Sequence, residues 1–571
     1  MSKPLDLIFL WHMHQPDYRD SATGEFVLPW VYLHTIKDYT DMAYHLEQTP
    51  GMKAVINFVP VLLDQIEDYA QQFASGEIRD PLLRLLAREN LRDLDQAERD
   101  LILQCCFRSD QEKMIDPYRG YKRLHDLFKM LEQEGCAMTD YLSTQYLSDL
   151  LTWYHLVWCG ESVRRENELV VNLMSKANGF DYADRKRLFD LIGELVTGVI
   201  PRYRALAARG QIEISATPHG HPLAPLLLNL NSARESMPDC SLPHSPRYSG
   251  GRNRVLAHLT AAIESHRARF GVTPQGIWPA EGAVSTDLLD LLAGQGCRWA
   301  ASGETVLGNT LHAAGRADQP HSEYLYRPYR MTGTSGSSIH CFFRDDHLAD
   351  LIGFEYSRWY GRDAALHFIA QLEAIAEQAP DGETPVVSII LDGENAWEYY
   401  PYNGYYFLSD LYAMLAEHAD VRSTTYGEYL DKRAANAAGL VKEGELSSVV
   451  AGSWVYGTFS TWIGSPDKNR AWDLLCVAKQ SYDLVMASGR LNEEEQRAAE
   501  RQLASCESSD WFWWFGDYNP GPSVESFDRL YRLNLTRLYQ LLKLPVPPIL
   551  TQPISHGGGE AESGGTMRRA S

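Results

Sequence analysis

Two short segments place carboxylates just past apolar runs that read as strands. Ile277-Trp278-Pro279-Ala280-Glu281-Gly282 sets an acid beside a Trp and a Pro. Ile389-Ile390-Leu391-Asp392-Gly393-Glu394-Asn395-Ala396-Trp397 releases two acids from a fully apolar run, again with a Trp. Two carboxyl groups from different strands, flanked by aromatic rings, have the means to cleave a glycosidic bond: one attacks the anomeric carbon while the other protonates the leaving oxygen. Either acid alone also suits a helix N-terminus, where Asp392 would serve as a cap. Two His-x-His pairs, His12-Met13-His14 and His219-Gly220-His221, follow strand-like segments. On extended backbone residues i and i+2 share a face, so both rings of a pair can enter one cleft. There they would bind sugar hydroxyls, or join a carboxylate around a metal ion. For His12 and His219 a ring satisfied by a core carbonyl is the alternative. His14 and His221 stand in the loop-forming runs His14-Gln15-Pro16 and His221-Pro222-Leu223, which points them to the cleft.

The elements that must carry these residues alternate strand and helix. Strands are expected over 5–11, 53–59, 211–216, 276–278, 297–302, 338–343 and 385–391, with a loop over 217–223 and a helix over 286–294. Polar residues just past strand ends describe an α/β fold, a parallel β/α barrel whose chemistry sits at the carboxyl ends of the strands. Seven strands fit the pattern as well as eight. Residues 61–205 carry helical periodicity instead, and read as a helical insertion in the barrel. Residues 301–337, rich in Gly, Ala and Ser, read as a mobile loop over the site. The chain thus divides into a catalytic barrel over 1–425, a C-terminal helical domain over 426–548 that contributes to the cleft, and a disordered Gly/Ser-rich tail over 549–571. An aromatic cluster, Trp511 to Phe515, stands out within the second part.

Composition restricts the partners. The chain has 571 residues, 44% of them hydrophobic and 22% charged, which excludes a disordered chain or a fibre. A net charge of −22 repels phosphate backbones, so nucleic acid and anionic membranes are excluded as main partners and a neutral substrate is favoured. Fourteen Trp and 31 Tyr offer faces on which sugar rings stack. No apolar run approaches the ~20 residues of a membrane helix, and the N-terminus lacks the apolar core and small-residue cleavage site of a signal peptide. The nine cysteines are scattered without a Cys-x-x-Cys pair and read as free thiols, so a cytoplasmic protein is expected. Oligomeric state is not legible.

The motifs in order carry a resemblance. His14-Gln15-Pro16, His221-Pro222, Trp278-Pro279-Ala280-Glu281 and Asp392-Gly393-Glu394, spread over the first 400 residues, resemble glycoside hydrolase family 57. This is the α-glucan-active family of α-amylases, amylopullulanases, 4-α-glucanotransferases and glycogen branching enzymes. A fifth segment, Gly452-Ser453-Trp454 through Thr461-Trp462-Ile463-Gly464, and Ser508-Ser509-Asp510-Trp511 extend the likeness to nearly the whole chain. The resemblance implies a (β/α)7 barrel with a helical domain packed over its cleft. It implies Glu281 as catalytic nucleophile and Asp392 as general acid/base. His14, His221, Arg344 of Phe343-Arg344-Asp345, Trp454 and Asp510 become substrate-binding positions. His12 joins them as a hydroxyl ligand, and Trp278, Trp397 and Trp462 as aromatic faces lining the subsites.

The expected activity is retaining cleavage of α-glucans, first as α-amylase-type hydrolysis of α-1,4 bonds, alternatively as 4-α-glucanotransferase or branching enzyme with the same site. With the histidines assigned to sugar hydroxyls, neither metal nor other cofactor is expected. Two rivals use the same residues differently. One is a metal-dependent polysaccharide deacetylase or zinc mannosidase using His12, His14 or His221 with Asp392. The other is a non-catalytic glycan-binding protein, against which the presence of both carboxylates argues.

Overall fold

A computed structural model describes residues 3–134, 141–316, 319–334, 336–435 and 439–559. Ten strands form one sheet: β1 (Leu5–Met13), β2 (Ala54–Phe58), β3 (Ile212–Ala216), β4 (Gly276–Ile277), β5 (Trp299–Gly303), β6 (Tyr329–Thr332), β7 (Ser338–Arg344), β8 (Val386–Asp392), β9 (Val421–Ser423) and β10 (Gly444–Leu446). Seven of them, β7-β5-β4-β3-β2-β1-β8, run parallel, and the pairing of β7 with β8 closes them into a barrel. Every residue of β1 is buried. That is the pattern of a strand covered on both faces, by the barrel interior and by the surrounding helices. The remaining strands lie outside the ring: β6 is antiparallel to β7, β9 adds beside β1, and β10 pairs with β6.

Between β2 and β3 the described chain is helical, from Pro60–Ser75 to the long Tyr182–Ala208. Beyond the sheet, helices Pro466–Ala487, Glu493–Cys506, Asp510–Trp514 and Gly521–Leu541 pack together. Isolated bridges Val284↔Gly452 and Pro222↔Ser508 tie this last part of the chain to the loops after β4 and β3.

The expected strands all form, with ends shifted by a residue or two, and helix Thr286–Gly294 has the expected bounds. Three readings need correction. The segment 301–337 is not a loop over the site: it contains the end of β5, helices Glu304–Ala313 and His321–Tyr324, and β6, and packs on the barrel exterior; residues 317, 318 and 335 lie outside the described ones. The sheet does not stop at 425, because β10 rejoins it. The tail is ordered as far as 559, with Pro548–Thr551 a 3-10 turn and Ile554 buried, while 560–571 lie outside the described residues. The eight described cysteines are free thiols, and Cys136 is outside the described residues. Among the described residues no helix is long and apolar enough to cross a membrane.

One buried ionic cluster ties barrel to C-terminal helices. The fully buried Glu507 carboxylate accepts from Arg254 Nε at 2.9 Å and Nη2 at 2.8 Å, approaches His258 Nε2 at 2.7 Å, and accepts from the Tyr248 hydroxyl. Burial alone would raise its pKa. The Arg254 charge and the His258 contact outweigh burial and hold it down at about 2. Replacing one member of such a cluster strands the others, at a cost of about 3–5 kcal/mol. Glu507→Gln is therefore expected to lower unfolding free energy by about that amount in urea titrations at neutral pH. A loss under ~1 kcal/mol would make the cluster a surface-like pair.

Candidate active site

A row of paired residues crosses four strands near their carboxyl ends. His12 on β1 stands opposite Asp392 on β8 and opposite Asn57 on β2, and Asn57 stands opposite Ser215 on β3. His12 Nδ1 lies 2.7 Å from Asn57 Oδ1, and Asn57 Nδ2 donates to Ser215 Oγ at 3.0 Å. The next residues leave the sheet. Gly393 turns the chain under β1, its N–H donating to the His12 carbonyl at 2.7 Å; a Cβ there would fall 2.1 Å from Met13 Sδ, so any larger residue between the two acids must displace the Met13 side chain.

Glu281 leaves the two-residue β4 in a 3-10 turn and sits in the left-handed region at φ 59°, and His221 after β3 does the same at φ 56°. Such a backbone costs a non-glycine residue about 1–2 kcal/mol, and persists only where the surroundings enforce it. For Glu281 the enforcement comes from Trp454, whose N–H donates to the Glu281 carbonyl at 3.2 Å. Gly282 follows at φ 55°, where a Cβ would meet the Trp278 ring at 2.7 Å.

The third contribution comes from the far end of the chain. Ser509 N–H donates to the His221 carbonyl at 2.9 Å. The Ser509 hydroxyl donates to Glu281 Oε1 at 2.9 Å and lies 2.8 Å from His221 Nδ1. The Asp510 carboxylate grips His14 Nε2 with both oxygens, at 3.1 and 3.0 Å, and also accepts from Ser508 Oγ. His12 Nε2 and His221 Nε2 are 3.2 Å apart. A continuous polar chain thus runs Asn57, His12, His221, Ser509, Glu281.

Burial dominates the electrostatics. It pushes the Glu281 carboxyl up to about 8, with the Asp510 and Asp392 charges adding to it and the Ser509 hydroxyl opposing. It pushes Asp392 up to about 6, against the Asn395 amide, which donates to Oδ2 at 2.7 Å, and against His14 and Arg344. Glu394 is driven well above the ordinary carboxylate range by burial and by Asp392. Burial, then the neighbouring His14, holds His12 down at about 3 and His221 well below its usual value, so both stay neutral.

His12, His14, His221, Glu281, Arg344, Asp392, Trp454 and Asp510 all line one cavity at this end of the barrel. Arg344 stacks 4.9 Å over the Trp454 ring and donates to Asp346 Oδ1 at 2.6 Å. The sequence of this chain from residue 8 to 442 matches the profile of Glycosyl hydrolase family 57.

The chain belongs to that family.

Among solved structures it resembles a family 57 branching enzyme from Thermococcus kodakaraensis, with TM-score 0.58 and 15% identity over 94% of this chain and 90% of that one. It also resembles a family 57 branching enzyme from Pyrococcus horikoshii, at 0.57 and 16% over 98% of each chain. A third is the α-amylase AmyC from Thermotoga maritima, at 0.53 and 14% over 95% and 93%. At such identities the likeness is one of fold. Among curated proteins none matches the sequence.

The family match ends before Trp454 and Asp510, so part of this family 57 cleft is built by chain beyond the matched region. Trp278, Trp397 and Trp462 correct the sequence reading. All three are buried and absent from the cavity wall. Trp278 backs Trp454 edge to face at 5.2 Å, Trp397 packs on Trp11 and Tyr400, and Trp462 donates nothing to the cleft but packs on Trp513. The cavity's aromatic wall is instead Trp454, Trp513, Trp514, Phe354 and Phe527. Trp513 and Trp514 belong to the cluster visible at 511–515. Asn57 carries no local signal, and Ser509, though it lies in the segment Ser508-Ser509-Asp510-Trp511, carries none for its own role, since their partners lie far away in sequence. His219 leaves the site for an ion pair with Asp64 at 2.9 Å.

Donor atoms of His14, His221 and Asp510 lie within 4.8 Å of one another, close enough for a shared metal ion. The His14 and His221 rings, however, stack face to face with centroids 3.7 Å apart and planes 18° from parallel. Their in-plane lone pairs run side by side instead of converging on one point, which suits a flat partner or a hydroxyl better than a tetrahedral ion. His14 Nδ1 and Glu394 Oε2 are buried without a hydrogen-bond partner. Each is a place for a ligand hydroxyl.

Asp510→Asn keeps the shape and removes the charge that faces His14. It is expected to lower kcat/KM at least tenfold, about 1.4 kcal/mol, while moving the melting temperature little. A variant that melts earlier and keeps wild-type turnover would make Asp510 a helix-terminus residue only.

Proposed function

We propose that this family 57 enzyme cleaves α-1,4 bonds of α-glucans by retaining double displacement, with Glu281 as nucleophile and Asp392 as acid/base. The observation that carries the reading is the convergence of these two carboxyl groups, from different barrel strands, on one cleft with hydroxyl-seeking groups around it. The activities named for its fold relatives, branching enzyme and α-amylase, support an α-glucan substrate.

In the first step a Glu281 oxygen bonds to the anomeric carbon as the glycosidic C–O bond breaks, and Asp392 gives its proton to the departing oxygen. In the second step Asp392 takes a proton from the acceptor hydroxyl, whose oxygen displaces Glu281. His14 Nδ1 and Glu394 hold sugar hydroxyls, and Arg344 presses Trp454 against the cleft.

The reaction needs one carboxylate and one carboxylic acid. In the empty cleft burial raises both carboxyls, so the pair holds a proton near neutral pH. Two groups favour its residence on Asp392 once substrate is bound. The Ser509 hydroxyl donates to an ionised Glu281, and positive charge develops at the anomeric carbon beside it.

The pair titrates together, so the singly protonated form prevails between about 6 and about 8. A bell-shaped kcat/KM profile is expected. It falls below about pH 6 as both groups take protons and no nucleophile remains, and above about pH 8 as the acid is lost. A flat profile from pH 5 to 9 would contradict the assignment. Glu281→Gln is expected to cost at least a thousandfold in kcat, about 4 kcal/mol.

Water as acceptor gives hydrolysis, and a glucan as acceptor gives transfer. Incubation with maltoheptaose and amylose decides it. Only shorter products mean hydrolysis, a ladder above the input means transfer, and α-1,6 branches mean a branching enzyme. No change in either substrate overturns the proposal.

A further inference from the structure

Four aromatic residues stand exposed together outside the cleft: Tyr360 at 73%, Tyr402 at 53%, Tyr406 at 46% and Trp359 at 42%. They come from the segments that border the cavity. Asp350 and Phe354 line it, and the same segment runs on to Trp359 and Tyr360 at the start of helix Gly361–Gln378. Asn395 lines it, and that segment runs on to Tyr402 and Tyr406 at the start of helix Tyr405–Glu417. The two segments are joined where the Tyr400 hydroxyl donates to the Ile352 carbonyl at 2.5 Å. The helix starts abut so closely that a Cβ on Gly361 would sit 3.1 Å from the Tyr406 carbonyl carbon. Helices that follow a strand and lead into the next begin at the catalytic end of such a barrel, so the patch lies on that rim.

The patch is built. Tyr402, Asn403 and Gly404 are three successive left-handed residues, at φ 55°, 54° and 71°. A bulky aromatic avoids that conformation, and here the ring it presents is largely exposed. The Arg165 guanidinium sits 5.7, 4.5 and 4.9 Å from the Tyr402, Tyr405 and Tyr406 ring centres and donates to the Tyr406 hydroxyl at 3.1 Å. Arg165 is held in turn by Glu161 at 2.7 Å. One buried carboxylate ties Arg165's anchor to the Tyr402 turn: Asp41 Oδ2 accepts from Glu161 N–H at 2.7 Å and from Asn403 Nδ2 at 2.8 Å.

We propose that Trp359, Tyr360, Tyr402 and Tyr406 form a second binding surface for a neutral α-glucan chain, continuous with the catalytic cleft. The inference rests on the α-glucan reading of that cleft. Glucose rings present flat C–H faces that suit the electron-rich face of an aromatic ring, while the tyrosine hydroxyls can bond to sugar hydroxyls. Glu161 shares its carboxylate between Arg164 and Arg165, and the chain as a whole carries −22, so a polyanion is disfavoured. Exposed aromatic patches of this kind mark binding surfaces. A polymer bridging surface and cleft gains effective concentration at the active site, whereas a short oligosaccharide reaches only the cleft.

The test is native electrophoresis through gels containing amylopectin, with Glu281→Gln as the parent so that the polymer survives. Adding Tyr402→Gly and Tyr406→Ser is expected to raise the apparent Kd for amylopectin at least fivefold. In the otherwise unsubstituted enzyme the same pair should raise KM for amylose and leave maltotriose turnover within twofold. Glycine relieves the left-handed strain at 402, so Tyr402→Gly alone should hold or raise the melting temperature while weakening retention. Should the pair fail to fold, Tyr360→Ser, at the most exposed ring, is expected to weaken retention at least twofold. Unchanged retention in the substituted proteins overturns the proposal. So does unchanged retention with a changed mass by light scattering, which would make the patch an interface between copies. If the unsubstituted enzyme turns over maltoheptaose while the Glu281→Gln parent is not retarded by amylopectin, the surface alone is overturned; if neither turnover nor retardation is seen, the α-glucan reading falls as well.

Discussion

The cleft depends on one docking event: residues 508–510 laid across the mouth of the barrel. Ser509 bonds the His221 backbone and the Glu281 carboxyl, and Asp510 grips His14. Without that strip the barrel end is an open bowl holding His12, His14 and His221 with the acids Glu281, Asp392 and Glu394. With it, Glu281 has a donor, His14 has a fixed ring plane, and the aromatic wall of Trp513 and Trp514 closes one side. The strip is held down from behind by Glu507, the residue before Ser508, through its buried contacts with Arg254 and His258. The structural ion cluster and the candidate site are therefore adjacent in sequence, Glu507 lying two residues before the Ser509 hydroxyl that reaches Glu281.

Strain and charge are concentrated in the same place. Glu281 and His221 both hold left-handed backbones, and three carboxyl groups, Glu281, Asp392 and Asp510, share a buried space in an already acidic chain. Burial raises two of them, so one proton stays on the pair near neutral pH, as the proposed mechanism requires. The neutral histidines contribute no charge that would trap a carboxylate, and offer hydrogen bonds instead.

Much of this was legible from the residues. The apolar runs ending in Asp392 and before Glu281 declared strands, and a barrel follows once their polar exits are noticed. β6, β9 and β10 carry no clear signal because each is only three or four residues long and lies outside the barrel ring, so periodicity has little length in which to show. The segment 301–337 misled because Gly and Ala do not prevent helix Glu304–Ala313 when it packs on the barrel. A Trp close to a candidate acid suggests a stacking face. Trp278 and Trp397 show why that fails: a ring leaving the end of a buried strand is drawn under the neighbouring layer. Trp513 and Trp514 escape this because they arrive from another part of the chain. Asn57 and Ser509 could not be read locally, since their partners lie 45 and 228 residues away.

The central claim is that Glu281 forms the bond to sugar. A slow 5-fluoro-α-glucosyl fluoride allows the first displacement and delays the second, so the glycosyl-enzyme accumulates. Proteolysis and mass spectrometry then locate the added sugar. The account predicts one sugar per chain, on the peptide containing Glu281, and none on the Glu281→Gln protein. A label on Asp392, or turnover with no covalent species at any time, would contradict it.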